Sequence, residues 1–503
     1  MSMFSEVPRS NRWLPEINKI STRGPISSHD RQVVLQYLSD AEKDLNSYDL
    51  EVSKLKAAIL MLEARQTGLK KAMEKYRSLL APIRRLPSEV LLEIFSCFCE
   101  ESYIVEDMVP EAQKLSSVCR HWREIVTSAP GLWSSFYIDF TCHRYSVAES
   151  YTKITSLFMS RSKTSPLHIS MSFPLDEYMV FNVDVTLQLL VNHSHRWESL
   201  EVFGVEYFSR YCPGAFHLPK LRRLELNTDG DNSDDETETR LPSFSNCPAL
   251  TTVYLHIAYP AAVDQIVLSW PQVRDLTVVN CFGRATFSAL GRCGDLEQLT
   301  LLDIDDVFEY HEEAIAELPK TFSLPELTRL EIRSRCYQMP PERRSCIPLF
   351  LERFVPHSTI TSLGLHSILL IDTQVLSLLH HMSALRILSI SEYKGEACNQ
   401  IVTRDFSRHL FLPQDTMVSS HPSFLPVLSE LKLSIHFSGL DEQALADALT
   451  SRCLPVSRCL KMVDIALISK DMPPSGPLFA LQYFKHVGLH FTLSHVEAVP
   501  GDA

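Results

Sequence analysis

Leu296-Glu-Gln-Leu-Thr-Leu301 is the stretch that decides the fold. Its apolar residues stand at the first, fourth and sixth positions. The last two flank a single polar residue, which is the alternation of a short strand with one buried face. The same frame recurs upstream at Trp197–Val202, Leu221–Leu226, Leu250–Leu255 and Val273–Val278. Downstream it recurs at Leu327–Ile332, Ile360–Leu365, Leu385–Ile390, Leu428–Leu433, Leu460–Ile465 and Phe484–Leu489. A lone unit of this kind cannot hide its apolar pair, but a stack of them can. The expected fold is therefore α/β, with each unit adding one strand to a parallel sheet whose inner face is a continuous core. Thr373–Met382 and Asp441–Leu449, between units, carry helical patterns suited to an outer wall.

The starts of these units lie 23 to 43 residues apart. Most intervals are near the leucine-rich-repeat period of about 20–29 residues, and the array resembles such repeats with insertions. The resemblance implies a solenoid over residues 141–503. The asparagine that usually follows the strand is present at Asn227 and Asn280 and missing from most units, so regular curvature does not follow. Asp229–Glu238, with six acidic side chains in ten residues, reads as a solvated loop. It does not fit a calcium loop, because the sixth position is Asp234 rather than Gly and the twelfth is Arg240 rather than Glu.

Upstream the pattern changes. Residues 1–28 show no period and read as a flexible leader. Over 29–82 apolar residues follow a seven-residue spacing in two interleaved series. One is Leu38, Leu45, Val52, Ile59, Gln66, Met73, Leu80; the other is Val34, Ala41, Tyr48, Leu55, Leu62, Leu69, Tyr76. These are the a and d positions of a heptad, and a helix so striped hides its stripe against another helix. The spacing leaves two readings open: a coiled-coil homodimer through residues 34–80, or one long helix laid on its own neighbouring domain. Pro82 ends the helix.

Residues 83–140 form a third kind of segment. Pro87 and Glu89 suit the first turn of a helix. Val90, Leu91, Ile94, Phe95 and Phe98 give that helix one apolar face. A polar stretch, Glu100–Glu111, interrupts it. A second helix is expected from about Ala112, with Leu115, Val118, Cys119, Trp122, Ile125 and Val126 on its apolar face and Arg120, His121 and Arg123 opposite. So small and so apolar a unit needs a partner surface.

The blocks Leu86-Pro87-x-Glu89-Val90-Leu91-x-x-Ile94-Phe95, Val118-Cys119-Arg120-x-Trp122-Arg123-x-Ile125 and Leu132-Trp133 resemble an F-box. The entry Pro82-Ile-Arg-Arg-Leu-Pro87 after a heptad helix resembles the expanded F-box families of mushroom-forming fungi. The resemblance implies a small all-α module that docks a Skp-family adaptor and, through it, a cullin. The positions it assigns to Skp binding are Leu86, Pro87, Val90, Leu91, Ile94, Phe95, Val118, Cys119 and Trp122. The stretch from Phe98 to Leu115 is longer than the family's usual loop. On this reading the repeats recruit a client protein through outward strand residues: Arg223, Glu225, Asn227, Tyr254, His256, Thr277, Glu331 and Arg333.

Composition bounds the alternatives. A formal charge of −13 argues against binding nucleic acid by phosphate neutralisation. No apolar run reaches the ~18–20 residues that span a bilayer. Thirteen cysteines without a CxxC pair and no secretory signal point to reduced thiols in the cytoplasm or nucleus. No nucleotide-binding, zinc-hydrolase or serine-nucleophile motif occurs, and the pairs His193/His195 and His380/His381 lack neighbouring ligands. The expectation is a non-enzymatic adaptor without cofactor or metal. The competing expectation is a scaffold, dimerised by its heptad helix, that takes no part in ubiquitin traffic.

Overall fold

The structure is a computed structural model that describes residues 7–20, 24–100, 102–105, 108–141, 145–173, 183–205, 208, 215–228, 243–256, 266–280, 284–304, 324–334, 347, 350–351, 359–368, 370–394, 400–412, 424–453, 459–470 and 476–497. The acidic stretch 229–238 lies outside them. The chain divides into two compact units, residues 1–91 and 92–503.

In the first unit, α1 (Leu14–Ile17) follows a 3-10 turn, and α2 (Ser28–Leu79) runs for 52 residues. Ser27 starts α2 by accepting the Asp30 N–H on its hydroxyl, satisfying a donor that the helix leaves free. Residues 9–17, read from the sequence as leader, are instead helical and held in place. Two carboxylates of α2 hold them: Trp13 Nε1 and Arg12 Nη2 donate to Asp40 at 2.9 and 2.6 Å, and the Ser10 N–H donates to Asp44 at 2.8 Å. Val33, Asp40 and Asp44 are the buried residues of α2. A 3-10 turn, Pro82–Arg85, leads to α3 (Ser88–Phe98), within which the division into units falls.

The second unit is built on one fourteen-stranded sheet. Its strands are β1 (Tyr103–Ile104), β2 (Ser135–Asp139), β3 (Leu167–Ser172), β4 (Trp197–Phe203), β6 (Arg223–Asn227), β8 (Thr252–His256) and β9 (Asp275–Val279). They continue as β10 (Gln298–Ile304), β11 (Arg329–Ser334), β12 (Ser362–His366), β13 (Ile387–Ser391), β14 (Glu430–His436), β15 (Met462–Ser469) and β16 (His490–Glu497). Neighbours in the sheet follow this order, and each pairing is parallel. β5 (Ala215–His217) and β7 (Ser243–Asn246) form a separate parallel pair.

Register aligns the repeat units as their sequences imply. Leu200, Leu224, Val253, Leu276, Leu299, Leu330, Leu363, Leu388, Leu431, Val463 and Phe491 lie level on successive strands, and all are buried. The backbone also ties neighbouring units together at the strand entries. Two consecutive N–H groups at each entry from β8 to β15 share one carbonyl of the preceding unit, among them Thr251 and Thr252 on Arg222, Arg274 and Asp275 on Thr251, and Thr328 and Arg329 on Glu297. The hydroxyls of Thr328, Thr361 and Ser429 donate to the carbonyls of Glu297, Thr328 and Arg386 at 3.1, 3.2 and 3.1 Å. These donors, on half-buried or exposed residues, are thus paired across neighbouring units. Asn280 serves its turn differently, taking φ +63° directly after β9, a conformation asparagine tolerates.

The helices between strands are α4 (Glu111–Val118), α5 (Arg120–Ser128), α6 (Tyr145–Ser162), α7 (Val183–Val191), α8 (Arg284–Leu290), α9 (Asp372–His380), α10 (Arg404–Leu410) and α11 (Glu442–Cys453) among the described residues; α9 and α11 fall where helical patterns were expected. The last repeat unit is corrected. Residues 477–487 form a 3-10 helix that Gly488 closes at φ +95°, and the strand is His490–Glu497, with Phe491 beside Val463. Phe484–Leu489 has the right residue types, but the left-handed glycine inside it cannot continue a strand.

Candidate functional site

The segment expected to be a small all-α module is helical only in part. Its second helix is two: α4 (Glu111–Val118) and α5 (Arg120–Ser128), separated by Cys119 at φ −157°, ψ 170°. That extended residue caps α5, its Sγ accepting the Trp122 N–H at 3.5 Å. The long stretch after Phe98 is also put to use. β1 comes from it and pairs with β2, setting Tyr103 level with Tyr137 and Ile104 with Ile138. The Ser135 hydroxyl and the Tyr137 N–H donate to the carbonyls of Glu100 and Ser102 at 3.1 and 2.8 Å. Glu111 accepts from the Tyr103 N–H and pairs with Lys114, both at 3.1 Å. Residues 103–104 and 135–139 are thus the first two strands of the large sheet.

Packing separates the apolar side chains of this segment into two groups. Leu91 and Phe95 are each 1% exposed. The Phe95 ring lies 4.7 Å from the Trp122 indole, centroid to centroid. Leu115, Ile125, Val126, Leu132 and Trp133 are buried as well, with Trp133 Nε1 donating to the Val126 carbonyl at 2.9 Å. Burial raises the Cys99 thiol to about 12, with Glu111 adding to the effect. The second group is uncovered. Ile94 is 45% and Val118 59% exposed; Val90, Phe98 and Pro87 are exposed too. Leu86, Cys119 and Trp122 are half-buried. Arg120, His121 and Arg123 are exposed, with Arg120 paired to Glu124 at 2.9 Å.

α3 therefore shows two faces. Leu91, Phe95 and Cys99 lie inward at i, i+4, i+8; Val90, Ile94 and Phe98 lie outward with the same spacing. Beside α4, Met108, Val109, Gln113, Lys114 and Ser117 line a shallow groove. An F-box-like family model matches residues 83–139. The chain carries an F-box-like domain. No curated protein matches the chain. F-box domains are generally adaptor modules, and the uncovered row of this F-box-like domain is apolar. Phe98 belongs to that row by its i+4 spacing from Ile94, although the family's motif blocks do not include it.

The eight strand residues proposed from the sequence do not all lie open. Glu225, Tyr254, Thr277 and Glu331 share one row across the outer face of the sheet and are half-buried. Arg223 and Arg333 are exposed, and His256 is half-buried. Asn227 is corrected: it is buried at the end of β6, where the Gly204 N–H bonds to its carbonyl and Thr228 is buried beside it. The sequence pattern missed Tyr137, Ser170 and Glu201, which continue the row on β2, β3 and β4. The alternation of Phe136 with Ile138, and of Leu167, Ile169 and Met171, was the signal for β2 and β3. Charges along the row are felt. Burial, then the neighbouring Glu201, raises the Glu225 carboxyl against the opposing pull of Arg223, 3.4 Å away. Burial first, then Glu225, Asp303 and Glu201, raises the Tyr254 phenol.

No described helix is long and apolar enough to cross a membrane.

Proposed function

We propose that the protein is a substrate-recruiting adaptor of a Skp–cullin–F-box ubiquitin ligase. The observation that carries this reading is the set of apolar side chains left uncovered in the F-box-like domain: Pro87, Val90, Ile94, Phe98 and Val118. Exposed apolar residues at helical spacing favour a groove on another protein. Leu86, Cys119 and Trp122 are half-buried, while Leu91 and Phe95 are buried. A Skp-family subunit would cover the uncovered residues and bring a cullin with it.

The parallel sheet, read as a leucine-rich-repeat solenoid, presents the client-binding face. Glu225, Tyr254, Thr277 and Glu331 form its central row, with Arg223, His256 and Arg333 beside it. No transfer chemistry is asked of this chain; holding client and ligase together supplies the proximity.

Co-purification of the full chain with a Skp homologue and a cullin tests the reading. Wild type recovers both. Ile94→Asp/Val118→Asp lowers recovery at least tenfold with an unchanged melting temperature, because both side chains face solvent. Equal recovery from the well-folded variant sinks the proposal. Recovery of Skp without cullin favours the scaffold reading, which the exposed stripe of α2 supports.

A further inference from the structure

The apolar heptad face of α2 stands exposed. We infer that it pairs with α2 of a second copy of this chain, in antiparallel orientation, through residues 34–80. This goes beyond the adaptor reading and does not depend on it. Leu45, Val52, Leu55, Ile59, Leu62 and Leu69 all stand exposed on the two heptad series. The segment 9–17 does not cover them, because it occupies the side of α2 marked by Val33, Asp40 and Asp44. Seven heptads of helix, about 70 Å at 1.5 Å per residue, leave this stripe in water unless a second helix seals it.

Charge selects the occupant and its direction. From Asp40 to Glu51 five of six charged side chains are acidic, of which Glu42, Asp49 and Glu51 are not buried; from Lys54 to Arg77 seven of nine are basic. A helix so divided is complementary to itself when reversed. The antiparallel register that sets a against d also fills the seam. It places Leu45 level with Leu69, Val52 with Leu62, Leu55 with Ile59, and Leu38 with Tyr76. Gln66, the polar member of the stripe, meets Tyr48, an amide beside a phenol, rather than a second Gln66.

The flanking e and g positions agree with this. Reversed, Glu42 faces Lys70 and Glu51 faces Arg65, each pair twice, against the repulsive Asp49 with Glu63, also twice, and Lys56 with itself once on the axis. In a parallel pair Arg65 faces Lys70, which repels, and only Glu51 with Lys56 attracts. Such positions set the orientation of paired helices.

Mass measurement on the full chain by sedimentation, together with disulfide trapping in a Cys97→Ser background, tests the inference. Wild type at micromolar concentration has the mass of two chains. Leu55→Glu/Leu62→Glu halves it while the helical circular dichroism stays. Lys56→Cys, at the axis, cross-links two copies on mild oxidation, and Leu62→Cys does not. A one-chain mass for wild type overturns the pairing and leaves the face to some other protein. Cross-linking through Leu62→Cys but not Lys56→Cys overturns the antiparallel orientation. Neither result bears on Skp recovery, so the two proposals fail separately.

Discussion

Phe95 and Trp122 meet with ring planes inclined at 58°, and this contact ties α3 to α5. It makes Trp122 a core residue on one side and a half-open one on the other. Trp122→Ala is expected to destabilise the protein by about 2–3 kcal/mol, below the cost of truncating a fully buried tryptophan. Ile94→Asp should change stability by less than about 0.5 kcal/mol, as exposed positions do. Thermal melting of the two variants separates packing from docking. Equal losses for both would mean that Ile94 is covered in solution.

Cys97 is exposed on α3 and Cys99 is buried two residues later. With its thiol raised to about 12 by burial, Cys99 holds only about one thiolate in ten thousand at pH 8. Timed alkylation read by mass spectrometry should modify Cys97 first and leave Cys99 intact until the protein unfolds. Cys97 stands three residues after Ile94, on the same side of the helix, so a bound Skp partner should slow its alkylation. Fast labelling of Cys99 in the folded protein would contradict the burial on which α3's two faces depend.

Asp40 anchors the N-terminal segment, and its carboxyl is held well below the usual carboxylate range. The Trp13 indole donor contributes most, then Lys43 and Arg12, and together they outweigh the opposing effect of burial. A depressed folded value means that this anchoring is fully present above the unfolded value. It is lost only as pH falls through the folded one. A fluorotryptophan resonance at position 13 should therefore hold steady from neutral pH to about pH 4, where a free aspartate titrates, and move only in stronger acid. Asp40→Asn should shift it toward the free value at every pH. Movement centred near the free value in wild type would show that the anchor is not formed.

Arg452 is fully buried and donates to three backbone carbonyls: Leu410 at 2.5 Å, Leu425 at 2.8 Å and Phe424 at 2.6 Å. Those carbonyls belong to the end of α10 and the approach to β14, so one side chain from α11 satisfies the junction between two units. Arg452→Leu strands buried acceptors at about 1–3 kcal/mol each. A total loss of about 3 kcal/mol or more in denaturant unfolding is expected. A loss under about 1 kcal/mol would mean that water reaches the junction.

What the sequence determined by itself was local and periodic. Alternation in six-residue units located β4, β6 and β8 to β15, and a seven-residue spacing located α2. Each is a property of consecutive side chains, so it can be read without knowing what lies opposite. What the tertiary structure decided was coverage. The apolar pattern of α3 did not distinguish Leu91 and Phe95, which are buried, from Val90, Ile94 and Phe98, which are not. It did not show that Tyr103–Ile104 opens the sheet, that α4 and α5 part at Cys119, or that Asn227 is enclosed. Those outcomes depend on which distant residues arrive beside each side chain. Burial is an exchange of water for neighbours, and the neighbours come from elsewhere in the chain.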